Sequence, residues 1–361
     1  MKSDSALSIR DRLLALADRD KPIDRLFVRL GVCTIELGSK CGELLERLRP
    51  FVRAFETEHV TSPDISVLAV ESQPLLFDVN WTPFITSKGK DRIKEDYLDL
   101  PDGRIVRKRQ TGLLFFFDRQ RSLVAGPCLE NSSQVIKFIN GLYIQWMLDR
   151  GALLCHASAV SLGDRGFAVA GPSSAGKSTL ALKMVGRGLC FVSNDRLLIK
   201  REAEGPMLYG ALGHARVNPG TLLADPVLTK LLRDDEKNRV RSLDLDDLWR
   251  LESKHDVLID RVYGPGRSST IGRLSGLMIL NWRRGGSATS FNLVDPSLRP
   301  DLLEMVLKPP GVFFLNDPCR DYDFSLRAYS KLLEEIPVIE ATGDVSFERA
   351  AEMGLDLLRE D

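Results

Sequence analysis

The residues with the clearest chemistry run from Gly171 to Ser178. They read Gly-Pro-Ser-Ser-Ala-Gly-Lys-Ser, a full match to G-x-x-x-x-G-K-[ST], and Thr179 with the helical run LALKMV follows. The short apolar stretch GFAVA precedes the match, so the order is strand, glycine-bearing loop, helix. That order aims the loop's backbone N–H groups and the positive end of the helix at one point, where an anion is stabilised. Gly171, Ser173, Ser174, Ala175, Gly176, Lys177, Ser178 and Thr179 are therefore expected to wrap a triphosphate, with ATP as the expected ligand. Lys177 would neutralise charge between the β- and γ-phosphates, and Ser178 would lend its hydroxyl to Mg²⁺. A small-residue turn that merely ends in Lys-Ser is the alternative reading.

A metal-bound triphosphate needs a carboxylate facing the loop, because Mg²⁺ takes hard oxygen ligands and keeps several waters. The next apolar run, Leu189 to Ser193, ends in Asn194-Asp195-Arg196. In a right-handed β-α-β unit its carboxyl end lies beside the loop, which puts Asp195 near Ser178 as a second metal ligand. An Asp at a strand end is also an ordinary turn residue. His156 stands in the apolar stretch CHASAV, one hairpin earlier. It reads either as a core histidine with a satisfied hydrogen bond or as an imidazole aimed at the γ-phosphate, able to orient an acceptor or share its proton. His59, His214 and His255 have no such geometric argument and read as surface or structural residues.

The elements that must position these residues follow from periodicity. Ala152 to Val160 and Gly166 to Ala170 read as two buried strands joined by LGDRG, and Ser132 to Arg150 as a helix capped by Ser132 or Ser133 and ended by Gly151. Upstream, Arg25 to Leu37 reads as a strand pair around Gly31, and Cys41 to Phe55 as a helix interrupted at Pro50. Short strands follow in DISVLAVES, RIVRKR and LLFFFD. Downstream, Leu231 to Val240 and Leu243 to Glu252 are charged helical stretches, either a solvated face or a reader of the acceptor. Arg283-Arg284 before Gly285-Gly286 reads as a turn, with a phosphate contact as its second reading. Residues 346–358 read as a closing amphipathic helix. The expected division is an α+β N-terminal domain over 1–150, an α/β phosphate-loop domain over 151–337 and a C-terminal helical tail over 338–361.

Composition narrows the partners. Lys and Arg total 50 against 50 Asp and Glu, so no strongly basic domain argues for nucleic acid. No uncharged apolar run reaches the roughly 18 residues of a membrane span, so no membrane role is expected. The six cysteines lie far apart without a CxxC or a Cys/His pairing, which argues against a zinc site and for the reduced thiols of a cytoplasmic protein.

At these residues the chain resembles the HPr kinase/phosphorylase family, and more closely its HPr-kinase-related type B group. The similar stretches are LLCHASAV, GPSSAGKSTLALKMVGRG and SNDRLLI, covering Leu153 to about Ile199, with ARVNPGTLL, IDRVYGPGR and LMILNW as later pieces. The resemblance implies a P-loop kinase core of the HPr kinase/phosphoenolpyruvate carboxykinase type that uses ATP and Mg²⁺ to phosphorylate a protein serine. By position, Lys177 and Ser178 would hold phosphate and metal, Asp195 would bind metal, and His156 would match the family's active-site histidine. A homo-oligomer is also implied. The chain departs from the family twice: Asn194 stands where a first acid usually takes the hydroxyl proton, and Ser174 where a glycine is common. An amide is no base. Arg216 is the first choice of guanidinium for developing phosphoryl charge and Arg267 the second, each with a surface or ion-paired role as its other reading. The expected function is a kinase acting on a hydroxyl of a protein, peptide or small molecule. A peptide-tailoring kinase resembling lasso-peptide kinases and a non-catalytic ATP-binding regulator are the alternatives.

Overall fold

The computed structural model describes residues 4–85 and 93–359. Two units divide the chain: Met1–Arg150 with Pro310–Asp321, and Gly151–Pro309 with Tyr322–Asp361.

The first unit begins with helix α1 (Ala6–Arg19) and carries one eight-stranded sheet. Its strands are β1 (Asp24–Leu30), β2 (Cys33–Ser39), β3 (Ile65–Glu71), β4 (Thr82–Pro83), β5 (Glu95–Asp99), β6 (Gly103–Lys108), β7 (Leu114–Asp118) and β8 (Ser122–Gly126), ordered β1-β2-β3-β8-β7-β6-β5-β4. Helices α2 (Gly42–Val52) and α3 (Ser132–Leu148) complete it. Strand β7 sets the layers, because successive side chains leave opposite faces. Leu114 and Phe116 join Ile9 and Leu13 of α1 in one core, while Phe115 and Phe117 meet Phe138 of α3 and Phe313 of the returning segment. Gly141 makes room for that segment, since a Cβ there would lie 2.6 Å from the Phe313 ring. Pro50 sits inside α2, which ends at Val52 and tightens into the 3-10 turn Arg53–Phe55, as the missing N–H requires. The cap of α3 is Asn131 rather than Ser132 or Ser133.

The second unit holds a nine-stranded sheet of β9 (Leu153–Cys155), β10 (Ala157–Leu162), β11 (Arg165–Ala170), β12 (Cys190–Ser193), β13 (Leu197–Glu202), β14 (Gly205–Gly210), β17 (Ile271–Leu280), β18 (Ser290–Leu293) and β19 (Val338–Thr342). A separate pair, β15 (Ala215–Val217) and β16 (His255–Val257), lies off it. The helices are α4 (Lys177–Gly186), α5 (Pro219–Leu223), α6 (Asp234–Arg241), α7 (Leu245–Arg250), α8 (Ile259–Tyr263), α9 (Pro300–Val306), α10 (Leu326–Leu333) and α11 (Phe347–Arg359). Phe167 and Val169 of β11 pack with Leu180 and Met184 of α4 and Leu355 of α11. Ala168 and Ala170 face the other way, with Leu302 of α9 and Tyr329 of α10. Cover on both faces is why this strand reads as an unbroken apolar run.

Three expectations about the second unit need correction. The strand drawn from Ala152 to Val160 breaks at His156: β9 pairs with β13, whereas β10 pairs with β11 and β12. The strand after α4 is not adjacent to β11, because the β10 hairpin partner already holds that edge. β12 instead adds to the outer edge of β10, antiparallel, and so runs parallel to β11 one strand away. Residues 338–361 form no separate tail, for β19 lies parallel to β17 in the sheet and α11 packs with α4.

Candidate functional site

The turn between β11 and α4 is held by close backbone contacts. A Cβ on Gly171, which has φ +142, would lie 2.9 Å from the Leu280 carbonyl oxygen. The helix enters at Gly176, φ +96, whose missing Cβ would fall 2.4 Å from Cζ of Phe347. The Phe347 ring packs edge-on against Trp282 at 5.3 Å between centroids, and the Trp282 indole N–H donates to the Ala175 carbonyl at 2.9 Å. Two aromatic rings from outside the motif thus brace it. Ser174 sits at φ +64, the non-glycine residue at positive φ among those described. That conformation costs an L-residue about 1 kcal/mol, and it occurs at the position where the resemblance called for glycine.

Lys177 is buried, and its Nζ donates to the carbonyls of Gly171 and Pro172 at 2.8 and 2.9 Å. Burial pushes its pKa down to about 8; Asp195 pulls the other way, and the charges of Lys308 and Lys254 add to the drop. The side chain is therefore an ammonium held ready among carbonyl oxygens.

These residues open on a cavity of about 700 Å³. Ser173, Ser174, Gly176, Lys177, Ser178 and Thr179 form one wall, and His156, Asn194 and Asp195 another. Gly171 and Ala175 lie behind the wall, supporting the turn rather than lining the space. The Thr179 and Thr221 hydroxyls pair at 2.8 Å and tie α4 to α5. His156 and Asp195, distant in sequence, meet: Nε2 stands 3.1 Å from Oδ1. The second carboxylate oxygen, Oδ2, accepts from Lys308 Nζ at 2.8 Å. The backbone explains both placements. The His156 amide donates to the Val306 carbonyl at 2.7 Å, Leu307 bridges Cys155, and the Lys308 amide donates to the Leu154 carbonyl at 3.1 Å. Residues 306–308 are thereby laid against 154–156, so that Lys308 reaches the carboxylate. Burial of Asp195 opposes its ionisation, but the His156 hydrogen bond and the Lys308 charge prevail and hold its pKa well below the usual carboxylate range.

Asn194 gives its carbonyl to the Ser158 hydroxyl at 2.5 Å, yet its side-chain Oδ1 is buried with no hydrogen-bond partner. Asn218 Oδ1, on the same cavity, is in the same state. Such acceptors ask for a donor. Among the described residues no three His, Cys, Asp or Glu side chains converge, which excludes a cage built from those groups. What the cavity does offer a hard ion is oxygen from Asp195 and Ser178.

The two arginines expected to bear on phosphate fare differently. Arg216 reaches the cavity, but its Nε is paired with Asp256 at 2.9 Å across the β15–β16 ladder. Arg267 is absent from the lining and donates to the Gly188 carbonyl beyond the far end of α4. Arg284 and Lys254 do line the space. His59 stacks edge-on with Phe27, and His255 pairs with Glu236. Sequence reading missed Lys308, Lys254, Trp282 and Phe347 altogether. Only Trp282 carried any signal, as the end of the strand-like LMILNW run.

Neither a family model nor a curated protein matches this chain. Among solved structures, the Hpr(Ser) kinase/phosphatase from Coxiella burnetii matches at 14% identity and a TM-score of 0.28, over 57% of this chain and 87% of that one.

Proposed function

We propose that the second unit is an ATP- and Mg²⁺-dependent kinase that transfers the γ-phosphoryl group to a hydroxyl acceptor. One observation carries the reading: the G-x-x-x-x-G-K-S turn and a hydrogen-bonded His156–Asp195 pair face the same cavity. Lys177, freed from the Gly171 and Pro172 carbonyls, supplies positive charge to phosphate oxygens. The N–H groups at the start of α4 add donors to the same anion. The Nε2–H of His156 donates to the Asp195 carboxylate, which leaves Nδ1 with the lone pair that would accept the acceptor hydroxyl's proton. The base therefore sits on His156, and Asn194 is not needed in that role. Mg²⁺ would be held by Asp195 and Ser178, whose oxygens suit a hard ion. Bound there, the ion supplies charge neutralisation on the β- and γ-phosphates. Phosphoryl transfer through a loose transition state asks chiefly for such positioning and charge.

A second reading, an ATP-binding regulator that transfers nothing, rests on the amide at Asn194. Incubation with Mg²⁺, γ-labelled ATP and cell extract separates the two, since a kinase labels an acceptor and a regulator does not. Lys177→Met is expected to abolish ATP binding, and His156→Asn to retain binding while losing label transfer. Unchanged ATP affinity in Lys177→Met would sink both readings.

A further inference from the structure

We propose that Lys308 is an internal cation that occupies the metal-facing oxygen of Asp195 until a divalent ion arrives, so that metal enters by exchange with this ammonium. The inference rests on the kinase reading above and goes beyond it.

Both oxygens of Asp195 are engaged, Oδ1 by His156 and Oδ2 by Lys308. If the histidine pair is kept, Oδ2 is what remains for a hard ion, and Lys308 stands on it. The lysine is fastened at its base by backbone bonds, and at its tip by the Asp195 carboxylate. Its amide is bonded to the Leu154 carbonyl and Leu307 bridges Cys155, while the flexible four-carbon stem beyond is able to swing away. Side-chain exposures of 23% for Lys308 and 51% for Asp195 leave the pair open to solvent, where ions exchange readily. The exchange breaks no covalent bond: a divalent ion replaces one ammonium on one oxygen, and the site gains a single positive charge.

The test reads metal affinity instead of turnover. A fluorescent ATP analogue is held with the full chain while Mg²⁺ is titrated, and the Mg²⁺ concentration at half-maximal binding is compared between variants whose circular dichroism matches the wild type. Lys308→Met removes the competitor and is expected to lower that midpoint about fivefold, the upper end for a solvent-exposed pair. Lys308→Arg, with a guanidinium that grips a carboxylate through two N–H groups, is expected to raise it several-fold. In an Asp195→Asn background the Lys308 substitutions should have no effect. Midpoints that stay put, that move the same way in both variants, or binding that ignores Mg²⁺ altogether would overturn the inference. Failure of the parent reading looks different: without a nucleotide site the wild-type chain would bind no analogue under any condition, and a regulator would bind it yet label no acceptor in the transfer assay above.

Discussion

Gly176→Ala tests whether the braced turn is as tight as its contacts suggest. The added Cβ would stand 2.4 and 2.5 Å from two ring atoms of Phe347, roughly 1 Å inside ordinary van der Waals contact. The ring is also held edge-on by Trp282, whose indole is tied to Ala175, which limits how far it can shift. Overpacking of this kind costs about 1–3 kcal/mol. Holding alanine at φ +96 adds about 1–2 kcal/mol, and the stiffer unfolded chain returns about 0.4–1 kcal/mol. The net expectation is a loss of about 2–4 kcal/mol in the ligand-free protein. Because part of that loss is a clash with one ring, Phe347→Leu should recover it: the double variant is expected to fall short of the sum of the singles by about 1–2 kcal/mol. Urea unfolding of the four proteins of this cycle, followed by near-ultraviolet circular dichroism, measures the coupling. Additivity within about 0.5 kcal/mol would refute the steric part of the argument, for it would mean that the ring and the glycine do not press on one another.

Two further outcomes follow from the same turn. Lys177 has its proton affinity depressed from 10.5 to about 8 by burial, and bound phosphate raises it again, so ATP binding takes up a proton near that pH. ATP affinity measured by calorimetry should be flat below about pH 7 and fall as pH climbs through 8, by up to about tenfold per unit; in the ligand-free protein the unfolded chain binds more protons between 8 and 10.5, so stability rises across that window. At Ser174, glycine relieves about 1 kcal/mol of left-handed strain but returns a similar amount as unfolded-chain freedom, which predicts a melting temperature close to that of the wild type. Valine, branched at Cβ, is expected to cost about 2 kcal/mol or more at the same φ, and a neutral Ser174→Val would show that the backbone there is not held as described.

How much of this was legible in the sequence depended on how local each feature is. The turn from Gly171 to Ser178 is contiguous and its glycines are demanded by its own backbone, so the motif announced it. Strands such as β7 were readable because a short unbroken apolar run with turn residues beyond it survives when both faces are covered. The break at His156 was not readable. It arises because β9 and β10 are recruited by different partners, a matter of sheet order rather than of residue type. Lys308 lies 113 residues from the Asp195 it binds and Trp282 lies 107 from Ala175, and nothing in VLKPP or LMILNW says where those side chains land. The meeting of His156 with Asp195 falls between these cases: both residues were chosen from sequence, His156 from a hairpin beside the loop's strand and Asp195 from a β-α-β unit in which β10 in fact intervenes.

The departures from local rules in the second unit also gather in one place, which is itself an argument for function. A serine at positive φ, a lysine buried on carbonyl oxygens, a carboxylate shared between a histidine and a lysine, and two asparagines with donorless side-chain oxygens all belong to the same cavity. Each is unfavourable taken alone, and packing elsewhere in the unit must offset the sum. Core positions on β10, β11 and β17 show the contrary habit, with apolar side chains covered on both faces. A region selected only for stability would favour hydrogen-bond partners for Asn194 and Asn218. An anion accompanied by a divalent cation, the ligand proposed above, would answer the two charged features together: the anion would draw Lys177 from the carbonyls and meet the N–H groups of the turn, and the cation would use the ionised Asp195.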